Sequence, residues 1–243
     1  METNTFSPCD YVTGAKDNHP RQLTRAILDS LLDSKDVKGN VEKVHEHKPD
    51  AEIYKQKLPG ISWQSKFGGA LRVAANAQST GFFCIDVDIH HEDHFKELLQ
   101  TKGTDAAYQW AEAEARERAM RWKAMAEAEL STPAELGGEL DIVAIHISPS
   151  GTGVHVVALA QPYCNSIAED QERLAKLLGT SYDKVCHDTS RIFFVTPRED
   201  WLYLDYKTLF QEEETKTPLP TSPEGEGLCA AETKNKSTKT MKI

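Results

Sequence analysis

Two apolar stretches, Ile142 to Ile147 and Val154 to Leu159, are separated only by Ser148-Pro149-Ser150-Gly151-Thr152-Gly153. Six residues of this composition make a tight turn, so the two stretches predict antiparallel strands side by side in one sheet. A third run, Gly81-Phe82-Phe83-Cys84-Ile85-Asp86-Val87-Asp88, is apolar at first and alternates at its end. That is the pattern of a largely buried strand emerging into solvent. Helical spacing is found at about 19 to 34, where Leu23, Ile27, Leu28, Leu31 and Leu32 form a stripe behind Pro20, and again at 166 to 178. The longest helix is predicted between Asp105 and Leu130, with Tyr108, Ala111, Ala115, Ala119, Trp122 and Ala126 on its apolar side. The polar stretch around His45-Glu46-His47 and the segment from Lys57 to Gly69 read as loop and short strands, and Ile192 to Val195 as a strand.

The 28 Lys and Arg against 38 Asp and Glu leave a net charge of −10. Affinity for nucleic acid comes from basic groups displacing counterions, so this surface as a whole does not grip a polyanion, although a local basic channel is compatible with it. No apolar run approaches ~18 residues and the start of the chain lacks a basic stretch followed by an apolar one, so neither membrane spanning nor secretion is expected. Five scattered cysteines without a C-x-x-C pair suit a reducing cytoplasm. A chain of 243 residues can bury roughly 70–75% of its unfolded surface. One compact domain over residues 1–210 is expected, followed by a polar tail over 211–243 with little to bury.

Three short segments carry chemistry. Asp86 and Asp88 share a face of their strand with α-carbons about 6.6 Å apart, a natural clamp for hard divalent cations. The turn Ser148 to Gly153 offers hydroxyls and exposed N–H groups that can cradle phosphate oxygens, with His155 two residues inside the next strand. Asp188, in Cys186-His187-Asp188-Thr189-Ser190-Arg191, is a carboxylate just before a strand, and Arg191 is available to a phosphate or to Asp188 itself.

Taken in order, FFCIDVD, SPSGTGVH and HDTSRIFF resemble the three motifs of the archaeo-eukaryotic primase superfamily, including plasmid-type primase-polymerases. The approach KLPGISWQSKFGGALRVAANAQSTGFFCIDVD is also similar to VirE N-terminal-like domains of bacterial mobile-element proteins. The resemblance spans about residues 50–200 and implies an α+β catalytic core with an RRM-like antiparallel sheet and packed helices. It further implies a DNA primase/polymerase acting in replication of a mobile element or plasmid. Asp86, Asp88 and Asp188 would hold two divalent cations, Mg or Mn. Ser148, Ser150, Gly151, Gly153, His155 and Arg191 would bind the nucleoside triphosphate. The implied partners are a single-stranded or primed DNA template and a helicase-like protein or fused domain. The inventory suits nucleotidyl transfer on chemical grounds, since that reaction needs cations to hold attacking and leaving oxygens and donors to neutralise phosphate.

Other readings use the same residues less fully. His91-x-Asp93-His94 matches the end of a dinuclear hydrolase motif whose first ligand is replaced by Ile89, and reads rather as the polar start of a helix carrying Phe95, Leu98 and Leu99. A metal-dependent glycosyltransferase would use Asp86 and Asp88 but leave the Ser/Gly turn and His155 idle. A relaxase would need a His-hydrophobic-His pair, and His45-Glu46-His47 has Glu at its centre. A non-catalytic nucleic-acid-binding or assembly module on the same fold is the main alternative. Arg116, Arg118, Arg121 and Lys123 could contact a template beside Trp110 and Trp122, but interleaved Glu112, Glu114 and Glu117 favour a solvated helix face.

Overall fold

The computed structural model describes residues 7–130 and 139–211. The expected tail therefore lies outside the described residues except for Gln211. Along the chain, β1 (Asp10–Val12) and β2 (Arg21–Gln22) precede α1 (Arg25–Leu32), α2 (Lys35–His45) and α3 (Ala51–Lys55). Then come β3 (Gly60–Ser62), β4 (Ser65–Lys66), β5 (Gln78–Ser79) and β6 (Phe82–Asp88), followed by α4 (Asp93–Thr101) and α5 (Thr104–Leu130). The hairpin β7 (Ile142–Ile147) and β8 (Gly153–Leu159) leads to α6 (Ile167–Leu178), β9 (Phe193–Phe194), β10 (Trp201–Leu204) and α7 (Tyr206–Phe210).

The fold is α+β, with antiparallel sheets and segregated helices. The main sheet has the order β10-β7-β8-β6, and a second sheet has the order β2-β1-β3-β9. Every pairing in both is antiparallel. The hairpin partner predicted from the Ser/Gly turn is present, and β6 pairs with the outer side of β8 from Phe82↔Leu159 to Asp88↔Gly153. Alternation then sorts the side chains of β6. Phe83, Ile85 and Val87 meet the helices, while Phe82 and Cys84 meet the second sheet through Ile61, Trp63 and Phe193.

Small residues decide how closely the long helix approaches. Ala107, Ala111, Ala115 and Ala119 are fully buried with Trp122, so the backbone of α5 lies flat on the main sheet. Tyr108, predicted on this stripe, is only partly buried and stacks on His47, with 3.8 Å between ring centroids. Trp122 donates from Nε1 to the carbonyl of Leu178, tying α5 to α6 at 3.3 Å.

Three expectations need correction. Residues 35–45 form a helix rather than loop, because Ser34 caps Val37 N–H and Val37, Val41 and Val44 supply a buried stripe. The first helix starts at Arg25, not near 19, because Thr24 provides its N-cap and Arg21–Gln22 pairs with β1. The strand expected over 192–195 is confined to Phe193–Phe194 and joins β3 in the second sheet. None of the described helices is long and apolar enough to cross a membrane, and Cys9, Cys84, Cys164 and Cys186 are free thiols.

Candidate active site

The main sheet's register assembles one row of side chains across four strands. Asp86 lies opposite His155, His155 opposite His146, and His146 opposite Trp201. His146 stacks flat on Trp201, centroid to centroid 4.2 Å, and meets His155 edge-on at 4.7 Å. His155 Nε2 then lies 3.4 Å from Asp86 Oδ1. That approach is too poorly aligned for a full hydrogen bond, so Oδ1 is a buried carboxylate oxygen without one. Burial, reinforced by His155, holds His146 far below the usual histidine range, so it is neutral.

At one end of this row Asp86 and His155 open onto a cavity of about 790 Å³. Asp86, Asp88, Ser148, Ser150, His155, Asp188 and Arg191 all lie on its wall. Although the chain is acidic, Lys48, Lys55 and Arg72 join Arg191 there. Ser148, Ser150 and Thr152 form a chain of hydroxyl contacts, each step 3.0 Å.

Gly151 and Gly153 act on the turn through its backbone. Gly151 has φ +76°, and a Cβ there would meet His45 Nε2 at 3.2 Å. A Cβ on Gly153 would fall 2.9 Å from Ser148 Oγ, 3.0 Å from the Val87 carbonyl and 3.3 Å from Asp88 Oδ1. The missing side chain is thus what lets the turn close against the carboxylate.

The two carboxylates of β6 differ in character. Burial alone would raise Asp86, but the charges of His155, Arg191 and Lys55 together with the His155 contact outweigh it and hold the carboxyl below its usual range. Asp88 has less compensation. Burial and then the charge of Asp86 push it up to about 6. Two adjacent acids driven in opposite directions are common where charge is concentrated for function.

The third acidic segment reaches the site through the open edge of β6. Gln171 Nε2 donates to the Cys84 carbonyl at 2.8 Å, and Asp183 N–H donates to the Asp86 carbonyl at 2.8 Å. Gln171 and Gln64 both hold the Cys186 carbonyl at 3.0 Å, and Gln64 also holds that of Asp188 at 2.6 Å. Asp188 itself is exposed on the cavity wall. Its Oδ1 accepts from Ser190 N–H and Oγ, each at 2.8 Å, so the side chain also caps its own turn.

Arg191 bridges Asp86 Oδ2 at 3.6 Å and Asp183 Oδ2 at 3.3 Å. Asp183, overlooked in the sequence, therefore stands with Asp86 where Asp188 was expected. Among the described residues, ligand atoms gather within 4.8 Å in two groups: Asp86 with Asp183 and Cys186, and Asp88 with His90 and His91. Neither includes Asp188, and Asp86 and Asp88 do not share one. The 183–187 segment follows an Asp-capped turn, Val185 N–H to Asp183 Oδ1, a signal short enough to escape notice in sequence.

The basic residues of α5 are largely engaged inside the protein. Arg116 pairs with Asp200 at 2.7 Å, and Arg118 holds Glu92 through two nitrogens and Glu114 through a third. This favours the structural reading of that face. Comparison with family models, with curated proteins and with solved structures finds no match to the chain.

Proposed function

We propose that the chain is a metal-dependent nucleotidyltransferase of the DNA primase/polymerase type, serving replication of a mobile element or plasmid. One observation carries this reading: residues from three segments separated by about 100 positions, Asp86 and Asp88, Ser148 with Ser150 and His155, and Asp188 with Arg191, line a single cavity. Its volume of about 790 Å³ is within the usual range for nucleotide-sized ligands.

The donor set suits hard divalent cations. Asp86 Oδ1 is buried without a hydrogen bond, and Asp88 lies beside it on the same face of β6. Asp86, Asp88 and Asp188, all on the cavity wall, would hold Mg or Mn, which requires their carboxylates to draw together, because neither group of ligand atoms within 4.8 Å joins them. Such ions supply charge neutralisation and alignment for in-line displacement at phosphorus. The protein's own groups do the rest. Arg191, Lys55 and Arg72 place positive charge where a triphosphate would lie, and the hydroxyls of Ser148 and Ser150 supply donors. His155, 3.4 Å from Asp86, helps to keep that carboxyl below its usual range and would face the nucleotide.

The superfamily resemblance is supported by the split β-α-β arrangement, in which β8 lies between β6 and β7 and α4 and α5 form the connection. The sheet departs from an RRM-like core in one respect: β10 pairs with β7 rather than with β6.

The test is incubation of the full chain with labelled nucleoside triphosphates, Mg or Mn, and single-stranded or primed DNA. Metal-dependent polymer, reduced about a thousandfold in Asp86→Asn, supports the reading, since that factor is about 4 kcal/mol of transition-state stabilisation. DNA binding without polymer under either metal would replace it with the non-catalytic module. A helicase-like partner is expected to supply template affinity that the acidic surface lacks.

A further inference from the structure

One of the two ligand groups contains two side chains, those of His90 and His91, that the nucleotidyl-transfer reading does not use. Beyond Asp88 the chain makes a single 3₁₀ turn, Ile89–His91, pinned by the buried Ile89 side chain and by Ile89 N–H donating to the Thr152 carbonyl at 3.0 Å. This turn folds the next two side chains back onto the carboxylate. His90 Nδ1 lies 3.8 Å from Asp88 Oδ1, and His91 Nδ1 lies 3.8 Å from Asp88 Oδ2. The two rings sit 4.0 Å apart, and His90 is braced edge-on against Phe95 at 6.2 Å. His90 Nδ1 is buried with no hydrogen-bond partner. Immediately after the turn, Glu92 is clamped by Arg118, so the segment is anchored at both ends.

We propose that Asp88, His90 and His91 form a mixed carboxylate–imidazole metal site that takes a first-row transition ion, of the Mn, Co or Zn class, in preference to Mg. Imidazole nitrogen suits these ions, whereas Mg demands oxygen ligands and retains its water. Ligands about 2.1 Å from a tetrahedral ion are spaced about 3.4 Å apart; each imidazole lies 3.8 Å from one oxygen of Asp88, and all three ligand atoms lie within 4.8 Å of one another, so side-chain rotation of about 1 Å or less closes the set. The other group is a poorer host. Arg191 already bridges Asp86 Oδ2 and Asp183 Oδ2, so a guanidinium stands where an ion would sit between them. The proposed site shares Asp88 with the nucleotidyl-transfer centre but does not depend on that reading, because it is defined by ion selectivity without nucleotide.

The experiment uses the full chain stripped with chelator, titrated with cobalt chloride and with magnesium chloride by calorimetry, with the visible cobalt absorption as a second readout. The parent is expected to bind cobalt at least about a hundredfold more tightly than magnesium. His91→Ala is the cleanest variant, because that side chain is 71% exposed and its loss does not threaten folding. It should weaken cobalt binding tenfold or more and alter the absorption band while leaving magnesium binding unchanged. His90→Gln should do the same, and Asp88→Asn should abolish the cobalt signal. Unchanged cobalt affinity in both histidine variants, or a parallel loss for cobalt and magnesium, overturns the proposal. Polymer formation with Mg by a parent and His91→Ala protein of equal cobalt affinity would sink this site and leave the nucleotidyl-transfer reading intact. The selective cobalt loss without polymer under any ion would do the reverse.

Discussion

Replacing Asp88 by Asn should make the metal-free protein more stable, although it damages the candidate site. The carboxyl is raised from 3.8 to about 6 by burial and by the neighbouring charge of Asp86. A rise of that size corresponds to about 3 kcal/mol of destabilisation once the group is fully ionised. The Asp88 side chain is still 22% exposed, and solvent screens part of the cost, so about 1–2 kcal/mol is the expected gain for Asn at pH 7.5. The sign is opposite to that of a salt-bridged acid. Between pH 4 and 6 the folded state binds more protons than the unfolded state, so stability falls as pH rises through that window. Thermal melts in EDTA should show Asp88→Asn about 2–8 °C above the parent at pH 7.5 and level with it near pH 4. Manganese should then reverse the order by stabilising the parent preferentially. An Asn variant that is less stable at pH 7.5, or that differs equally at both pH values, would refute the account of Asp88 as an electrostatically strained carboxylate.

Gly153→Ala should cost about 1–3 kcal/mol in denaturant titration, because its Cβ would fall 2.9 Å from Ser148 Oγ and 3.0 Å from the Val87 carbonyl; an unchanged midpoint would mean the turn can yield. Gln171→Leu should cost about 2 kcal/mol and accelerate amide exchange over residues 183–188, since the Cys84 carbonyl loses its donor at the open edge of β6 while Gln64 still serves Cys186. His146, buried and neutral, titrates freely only when the chain unfolds, so it contributes stability above pH 6.5 that is lost on acidification, with a slope of at most about 1.4 kcal/mol per pH unit. His146→Gln should flatten that part of the stability–pH curve, and an identical slope in both proteins would assign the proton uptake elsewhere.

The elements with a strong local signal are legible in the sequence itself. Alternation in FFCIDVD, the Ser/Gly turn between two apolar stretches, and the alanine-rich stripe of α5 each act over a few residues, and all three take the form they predict. The common face of Asp86 and Asp88 followed from the same alternation. By contrast, α2 reads as loop in the sequence although Ser34, Val37, Val41 and Val44 carry a cap and stripe, because polar residues outnumber apolar ones between them. The strand β10 gave no separate signal, since its four half-buried residues gain their meaning from pairing with β7.

Which residues meet in the cavity was decided by tertiary structure alone. Strand register puts His155 beside Asp86 and His146 beside Trp201, and register is set by pairing partners that are distant in sequence. That Asp183 and not Asp188 joins Asp86 in a ligand group rests on one backbone hydrogen bond at the edge of β6 and on the position of Arg191. A sequence supplies the acids and the elements that carry them. Their convergence depends on long-range hydrogen bonds and packing, which leave no local periodicity to read.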